Sequence, residues 1–102
     1  MAGLHISESA AQDLTQIRDY IKDELQNPAA ARRIIGEIKK SILSLSSFPL
    51  RGQPLDALIS VHTEYRYLVC ENYWIFYLTS ESDVFIVRVL PQKQDCLRAL
   101  LL

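Results

Sequence analysis

The sequence predicts an α+β fold in which a helical hairpin packs on one face of an antiparallel sheet, in the order β-α-α-β-β-β with a C-terminal helix or tail. Three observations carry that expectation. Apolar residues recur at helical spacing through residues 8–46, aromatic and β-branched runs crowd residues 65–90, and a segment bearing prolines and a glycine separates the two. A chain of 102 residues is read as one domain spanning 1–102, because that length supports one core and little more. Its 49% hydrophobic content is unlike a disordered segment and sufficient for a core without staples.

Residues 3–6 (GLHI) form a short first strand. Ser7 or Ser9 then caps a helix, with Gln12 three residues after Ser9 as a capping box requires. Leu14, Ile17, Ile21 and Leu25 make one amphipathic stripe. Asn27-Pro28 restarts the chain as a second helix, Asn as N-cap and Pro in the first turn, where its missing N–H costs nothing. Ala31, Ile34, Ile35, Ile38, Ile42 and Leu45 continue it, and it ends before Phe48-Pro49. Residues 47–58 read as a loop. Strands follow at 65–70, 73–79 and 84–90, joined by a tight turn at Glu71-Asn72 and a polar turn at 80–83. Pro91 stops the last strand, and residues 92–102 form a short helix or tail.

These turns set a register. Arg66 pairs with Tyr77, Tyr77 with Ile86, Leu68 with Ile75, and Ile75 with Arg88. Arg66, Tyr73, Tyr77 and Arg88 then share one face with Leu68, Ile75 and Ile86. The other face carries Tyr65, Tyr67, Val69, Trp74, Phe76, Leu78, Phe85, Val87 and Val89. Having no charge, it is assigned to the core beneath the helices. The arginine-bearing face stays free to bind phosphate or carboxylate; the structural reading of the same arginines is a salt bridge to Glu64 or Asp95.

Formal net charge is −1, which gives no support to a strong nucleic-acid binder. The distribution is uneven. Residues 1–25 hold Glu8, Asp13, Asp19, Asp23 and Glu24 against Arg18 and Lys22; residues 26–51 hold Arg32, Arg33, Lys39, Lys40 and Arg51 against Glu37. A basic stripe attracts nucleic acid or an acidic partner, but a solvated helix face balanced by its acidic neighbour is the preferred reading. The aromatic residues of 65–85 read as sheet core before they read as a base-stacking platform. The apolar terminus 98–102 packs back on the sheet or docks on a partner.

His5 and His62 lie in different elements without ligand spacing, so no metal is expected. No nucleophile motif or phosphate-cradling glycine loop calls for a cofactor. Cys70 and Cys96 read as free thiols in a reducing compartment. The first residues lack a basic n-region and an apolar h-region, and no apolar run approaches the roughly 18–20 residues of a membrane helix. A cytoplasmic location and no membrane partner are therefore expected.

An ordered set of segments carries a family resemblance. It comprises Ala10 to Leu14 with Ile17 and Tyr20-Ile21, AsnProAlaAlaAla at 27–31, PheProLeuArgGlyGlnPro at 48–54 and TyrArgTyrLeu at 65–68. It continues through TyrTrpIlePheTyr at 73–77 and IleValArgValLeu, then GlnAsp, within 86–95. This succession is similar to the RelE/ParE superfamily of type II toxin–antitoxin toxins. The resemblance implies a growth-inhibiting toxin of a plasmid-stabilisation or addiction module, neutralised by a cognate antitoxin that wraps an extended or helical segment around it. RelE-like members cleave mRNA on the ribosome without a metal; ParE-like members block DNA gyrase by binding. Trp74 stands where RelE-like toxins often carry a catalytic Arg. Pro91-Gln92 stands where their basic cluster follows the last strand, leaving Lys93 as the nearby cation. Residues 49–55 look more like the ParE branch. The resemblance puts Trp74 on the partner side of the sheet, whereas alternation puts it in the core.

Three functional classes follow, the first preferred: a gyrase-binding toxin of ParE character, a RelE-like endoribonuclease, and a non-toxic member that only binds antitoxin. In the second class Arg66, Arg88 and Lys93 would be the cations, and Tyr73 or Tyr77 the proton carriers. For binding target or antitoxin the candidates are Arg51, Arg66, Arg88, Lys93 and Arg98.

Overall fold

The computed structural model describes residues 2–59 and 62–101. Strand β1 (Gly3–Ile6) leads through Ser7 into helix α1 (Glu8–Asp19). Ser7 is the N-cap, its hydroxyl accepting from the Ala10 N–H at 3.0 Å. The helix runs on into a π-helical turn, Tyr20–Glu24, where the Leu25 N–H reaches back to the Tyr20 carbonyl. That wider turn rotates the chain off the expected stripe. Ile17 and Ile21 are buried, but Leu25 is 56% exposed. Helix α2 (Pro28–Ser47) begins as expected, with the Asn27 side chain capping the Ala30 N–H and Pro28 in the first turn.

Residues 47–58, expected as loop, contain a two-residue strand, β2 (Gln53–Pro54), and a 3₁₀ turn, Leu55–Ala57. Strands β3 (Arg66–Cys70), β4 (Tyr73–Thr79) and β5 (Asp83–Pro91) follow, then helix α3 (Gln94–Leu101). The β3–β4 turn places Glu71 in the left-handed region at φ 57°, as a tight hairpin requires. Of the apolar terminus 98–102, Leu102 lies outside the described residues.

The sheet order is β1-β5-β4-β3-β2. β2 to β5 pair antiparallel, and β1 adds itself parallel to β5, making a mixed five-stranded sheet. Arg66 pairs with Tyr77, Leu68 with Ile75 and Tyr77 with Ile86, as the turns predict. The fourth expected pair fails. Val87 is an extra residue in β5, so Phe76 pairs with Arg88 and Ile75 with Val89. Such a bulge reverses the facing of everything beyond it. Val89, expected on the charge-free face, therefore packs with Ile75, Tyr77, Val84 and Ile86.

The face beneath the hairpin is also the opposite of the expected one. Ala10, Ile17, Ile21, Ala31, Ile38, Ile42 and Leu45 bury against Ile75, Tyr77, Val84, Ile86 and Val89. The face bearing Tyr73 and Tyr77, with Arg66 opposite Tyr77, is the covered face. The charge-free face carries a second, smaller core of Leu55, Trp74, Phe76 and Leu90, closed by Ile59, Tyr65 and Tyr67 and by Cys96, Leu97 and Leu100 of α3. Trp74 thus points away from the hairpin yet is 9% exposed. Where α3 does not reach, Val69 and Phe85 stay exposed. Cys70 and Cys96 are free and pack against different cores.

Candidate functional site: an arginine–tyrosine cleft at the end of the β4–β5 ribbon

The bulge in β5 leaves backbone polar groups beyond the end of β1, and α1 takes them up. Ser7 Oγ donates to the Val87 carbonyl at 2.8 Å. The Asp13 carboxylate accepts from the Val89 N–H at 3.0 Å. A carboxylate on the buried side of a helix needs a cation as well, and Arg88 supplies it. Its Nε donates to Asp13 Oδ2 at 2.7 Å and its Nη2 to Oδ1 at 2.9 Å. The side chains are 29% and 7% exposed respectively. These hydrogen bonds hold the Arg88 pKa above its ordinary value, against the opposing effect of burial.

The ion pair forms one wall of a cleft of about 540 Å³ between α1, the paired ends of β4 and β5, and the start of α3. Tyr20, Tyr73, Lys93 and Cys96 also line it. Burial raises the Tyr73 pKa above 10.0, and the neighbouring Tyr20 phenol adds to the rise. Tyr73 therefore acts there as a hydrogen-bond donor at neutral pH, and Lys93 is an exposed cation. The cleft can hold a polar or anionic group against Lys93 and the tyrosine hydroxyls, while Asp13 offsets the charge of Arg88.

The other expected residues lie at the far end of β3 and β4. Tyr77 is fully buried. Its hydroxyl accepts from the Gly52 N–H at 2.8 Å and donates to the Pro49 carbonyl at 2.9 Å. Arg66 Nη2 donates to the Leu50 and Gly52 carbonyls at 3.1 and 2.6 Å, and its buried Nε has no partner. Arg51 bonds the Ser44 hydroxyl at the end of α2. Together these three hold residues 49–52 over the sheet edge. A β-carbon at Gly52 would meet Tyr77 Oη at 2.5 Å and the Tyr67 carbonyl at 2.6 Å, so only glycine allows this approach. Arg98 is exposed on α3 and does not line the cleft.

The expected partners of the arginines, Glu64 and Asp95, are not the ones found. Arg88 takes Asp13 and Arg66 takes backbone carbonyls, while Glu64 stands 3.5 Å from His62. Asp13 went unassigned in the sequence although a signal existed. It falls between Ala10 and Ile17 on the apolar side of α1, where an acid must find a buried partner.

Among the described residues, no group of three or more His, Cys, Asp or Glu is placed to hold a metal, and no helix is long and apolar enough to cross a membrane.

Comparison with known proteins gives two findings. A family model described as the ParE toxin of the type II toxin–antitoxin system, parDE, matches residues 4–96. Among solved structures, the chain is similar to one titled "Chromosomal ParDE TA system from P. aeruginosa". The likeness has a TM-score of 0.74 at 22% identity and covers 91% of this chain and 98% of that one. No curated protein sequence matches.

Proposed function

Since the chain belongs to the ParE toxin family of type II toxin–antitoxin systems, we propose that it inhibits DNA gyrase by protein contact and is held inactive by a cognate antitoxin. The carrying observation is that its sheet cations already have internal work. Arg88 is locked to Asp13, and Arg66 is spent on the 49–52 loop. Cleavage by attack of the ribose 2′-hydroxyl on the adjacent phosphate needs a base for that hydroxyl, an acid for the leaving 5′-oxygen and cations gathered at the scissile phosphate. Of the expected set, the cleft gathers Arg88, Tyr73 and Lys93, and the charge of Arg88 is matched by Asp13. Net charge of −1 adds no general attraction to RNA.

Purified toxin added to a gyrase supercoiling reaction and to a cell-free translation reaction separates the classes. Blocked supercoiling, relieved by the antitoxin encoded beside the gene, with intact mRNA in the translation reaction is the expected result. Intact supercoiling together with mRNA cut in the ribosome would replace this reading with the endoribonuclease one, for which the grouping of Arg88, Tyr73 and Lys93 is the supporting feature. Neither effect, with antitoxin still bound, would indicate a member that keeps only the partner surface.

A further inference from the structure

The turn that follows α2 is held stiffly and yet shows an apolar tip. The Arg51 N–H closes a β-turn on the Phe48 carbonyl at 3.1 Å, with Pro49 in the second position. The Pro49 carbonyl accepts from the Tyr77 hydroxyl, and the carbonyls of Leu50 and Gly52 accept from Arg66. The Arg51 guanidinium bonds the Ser44 hydroxyl. On this braced support Phe48 and Leu50 are 66% and 69% exposed, the most exposed large apolar side chains among the described residues.

Folding does not call for either side chain. Leu50 has a negative φ, so the polar residues usual at turn tips would serve there. Neither Phe48 nor Leu50 belongs to a buried core. Exposed apolar groups on a stiff support suit binding, because little freedom is lost when they dock. The charge nearby is one-sided. Arg51 and Arg66 converge on the turn, and among the described residues neither has an ion pair. An apolar pocket rimmed by acidic groups on another protein matches both properties. A second copy of this chain does not, since a two-fold contact would set one turn's guanidinium charges against the other's. A nucleic-acid strand would meet the arginines but give Leu50 no apolar partner.

We infer that the Phe48–Arg51 turn is the surface by which the toxin docks on gyrase, with Phe48 and Leu50 seated in an apolar pocket of the enzyme and Arg51 against acidic groups at the pocket's rim. The inference rests on the gyrase reading above. Within it, Tyr77 and Arg66 are positioning residues that hold the turn in shape from beneath.

Purified full-chain variants, checked for folding by circular dichroism, are titrated into a supercoiling reaction with gyrase holoenzyme and into a direct binding measurement with the same enzyme. Phe48→Ser/Leu50→Ser should raise the half-inhibiting concentration and the dissociation constant by about tenfold or more, as the loss of two apolar anchors predicts. Arg51→Glu should raise both as well, and added salt should weaken wild-type binding more than that of Arg51→Gln. Leu25→Ser, which changes a comparably exposed leucine between the two helices, should alter neither. Inhibition that the turn variants leave intact would overturn the inference while the gyrase reading stands. A wild-type chain that neither binds nor inhibits gyrase would overturn both. The inference also falls if the toxin alone shifts the DNA substrate and the turn variants abolish that shift, or if those variants act by dissolving a dimer of the toxin.

Discussion

Arg66 and Arg88 sit on neighbouring stretches of one sheet, and the fold treats them differently. Arg88 lies at a bulge beside α1 and meets a buried carboxylate through two parallel hydrogen bonds. Arg66 lies beside β2 and meets only carbonyls, with one nitrogen left unpartnered. Sequence context alone does not separate them, since both are arginines flanked by apolar or aromatic residues in a strand. The local backbone separates them. A bulge exposes strand N–H and C=O groups that attract a carboxylate, and the carboxylate then needs a cation. A loop crossing a sheet edge presents carbonyls, which an arginine can gather.

That comparison can be tested by breaking each end in turn. Asp13→Ala is expected to have the largest effect, since it strands both the Arg88 charge and the Val89 N–H. Removing one partner of a largely buried pair costs about 3 kcal/mol, which a denaturant midpoint would register. The double change Asp13→Leu/Arg88→Met should be milder than Asp13→Ala, and an equally severe loss would show that the pair does more than neutralise itself. Tyr77→Phe comes next. It leaves the Gly52 N–H and Pro49 carbonyl without their buried partner, a loss of about 2 kcal/mol, with hydrogen exchange rising in residues 49–52. Arg66→Met should cost about 1 kcal/mol and loosen the same loop. If it instead destabilises as much as Asp13→Ala, the two arginines are equivalent after all.

The smallest expected effect concerns the exposed clip in the loop before β3. The Asp56 carboxylate accepts from the Thr63 N–H and meets His62 Nδ1 at 2.7 Å. The Thr63 and His62 hydrogen bonds hold Asp56 below 3.8, and the bond to Asp56 raises His62 above 6.5. For His62 the stabilisation is complete below its unfolded pKa and is lost as pH rises through its higher folded value. For Asp56 it is present above 3.8 and is lost as pH falls through its lower folded value. The loop should therefore be best protected between about pH 4 and 6.5. An NMR titration should place the His62 midpoint above 6.5, returning toward it in Asp56→Asn; an unmoved midpoint would mean that the clip does not persist in solution.

Much of this architecture was legible in the residues. The α2 stripe, its Asn27-Pro28 start, the Glu71-Asn72 hairpin and three of four strand pairings follow from periodicity and turn chemistry, which act over a few residues. Leu25 was misplaced because a π-helical turn changes the period locally. Val89 and Arg88 were misplaced because a single extra residue in β5 shifts the register. Within the cleft, Tyr73 and Arg88 were named from the sequence but their neighbour Asp13 was not, since its role depends on a contact 75 residues away.

The amino-acid sequence by itself determined the hairpin helices, the strands β1 and β3–β5, and their order. Only the tertiary structure decided which face the hairpin covers. The chain leaves β1 at one edge of the sheet, runs through α1 and α2, and returns at β2 on the opposite edge, so the hairpin spans one whole face. It buries Ile75, Tyr77, Val84, Ile86 and Val89, and the charge-free face is left to α3 and the 3₁₀ turn. Side-chain alternation marks two faces, but contacts between residues far apart in the chain choose between them.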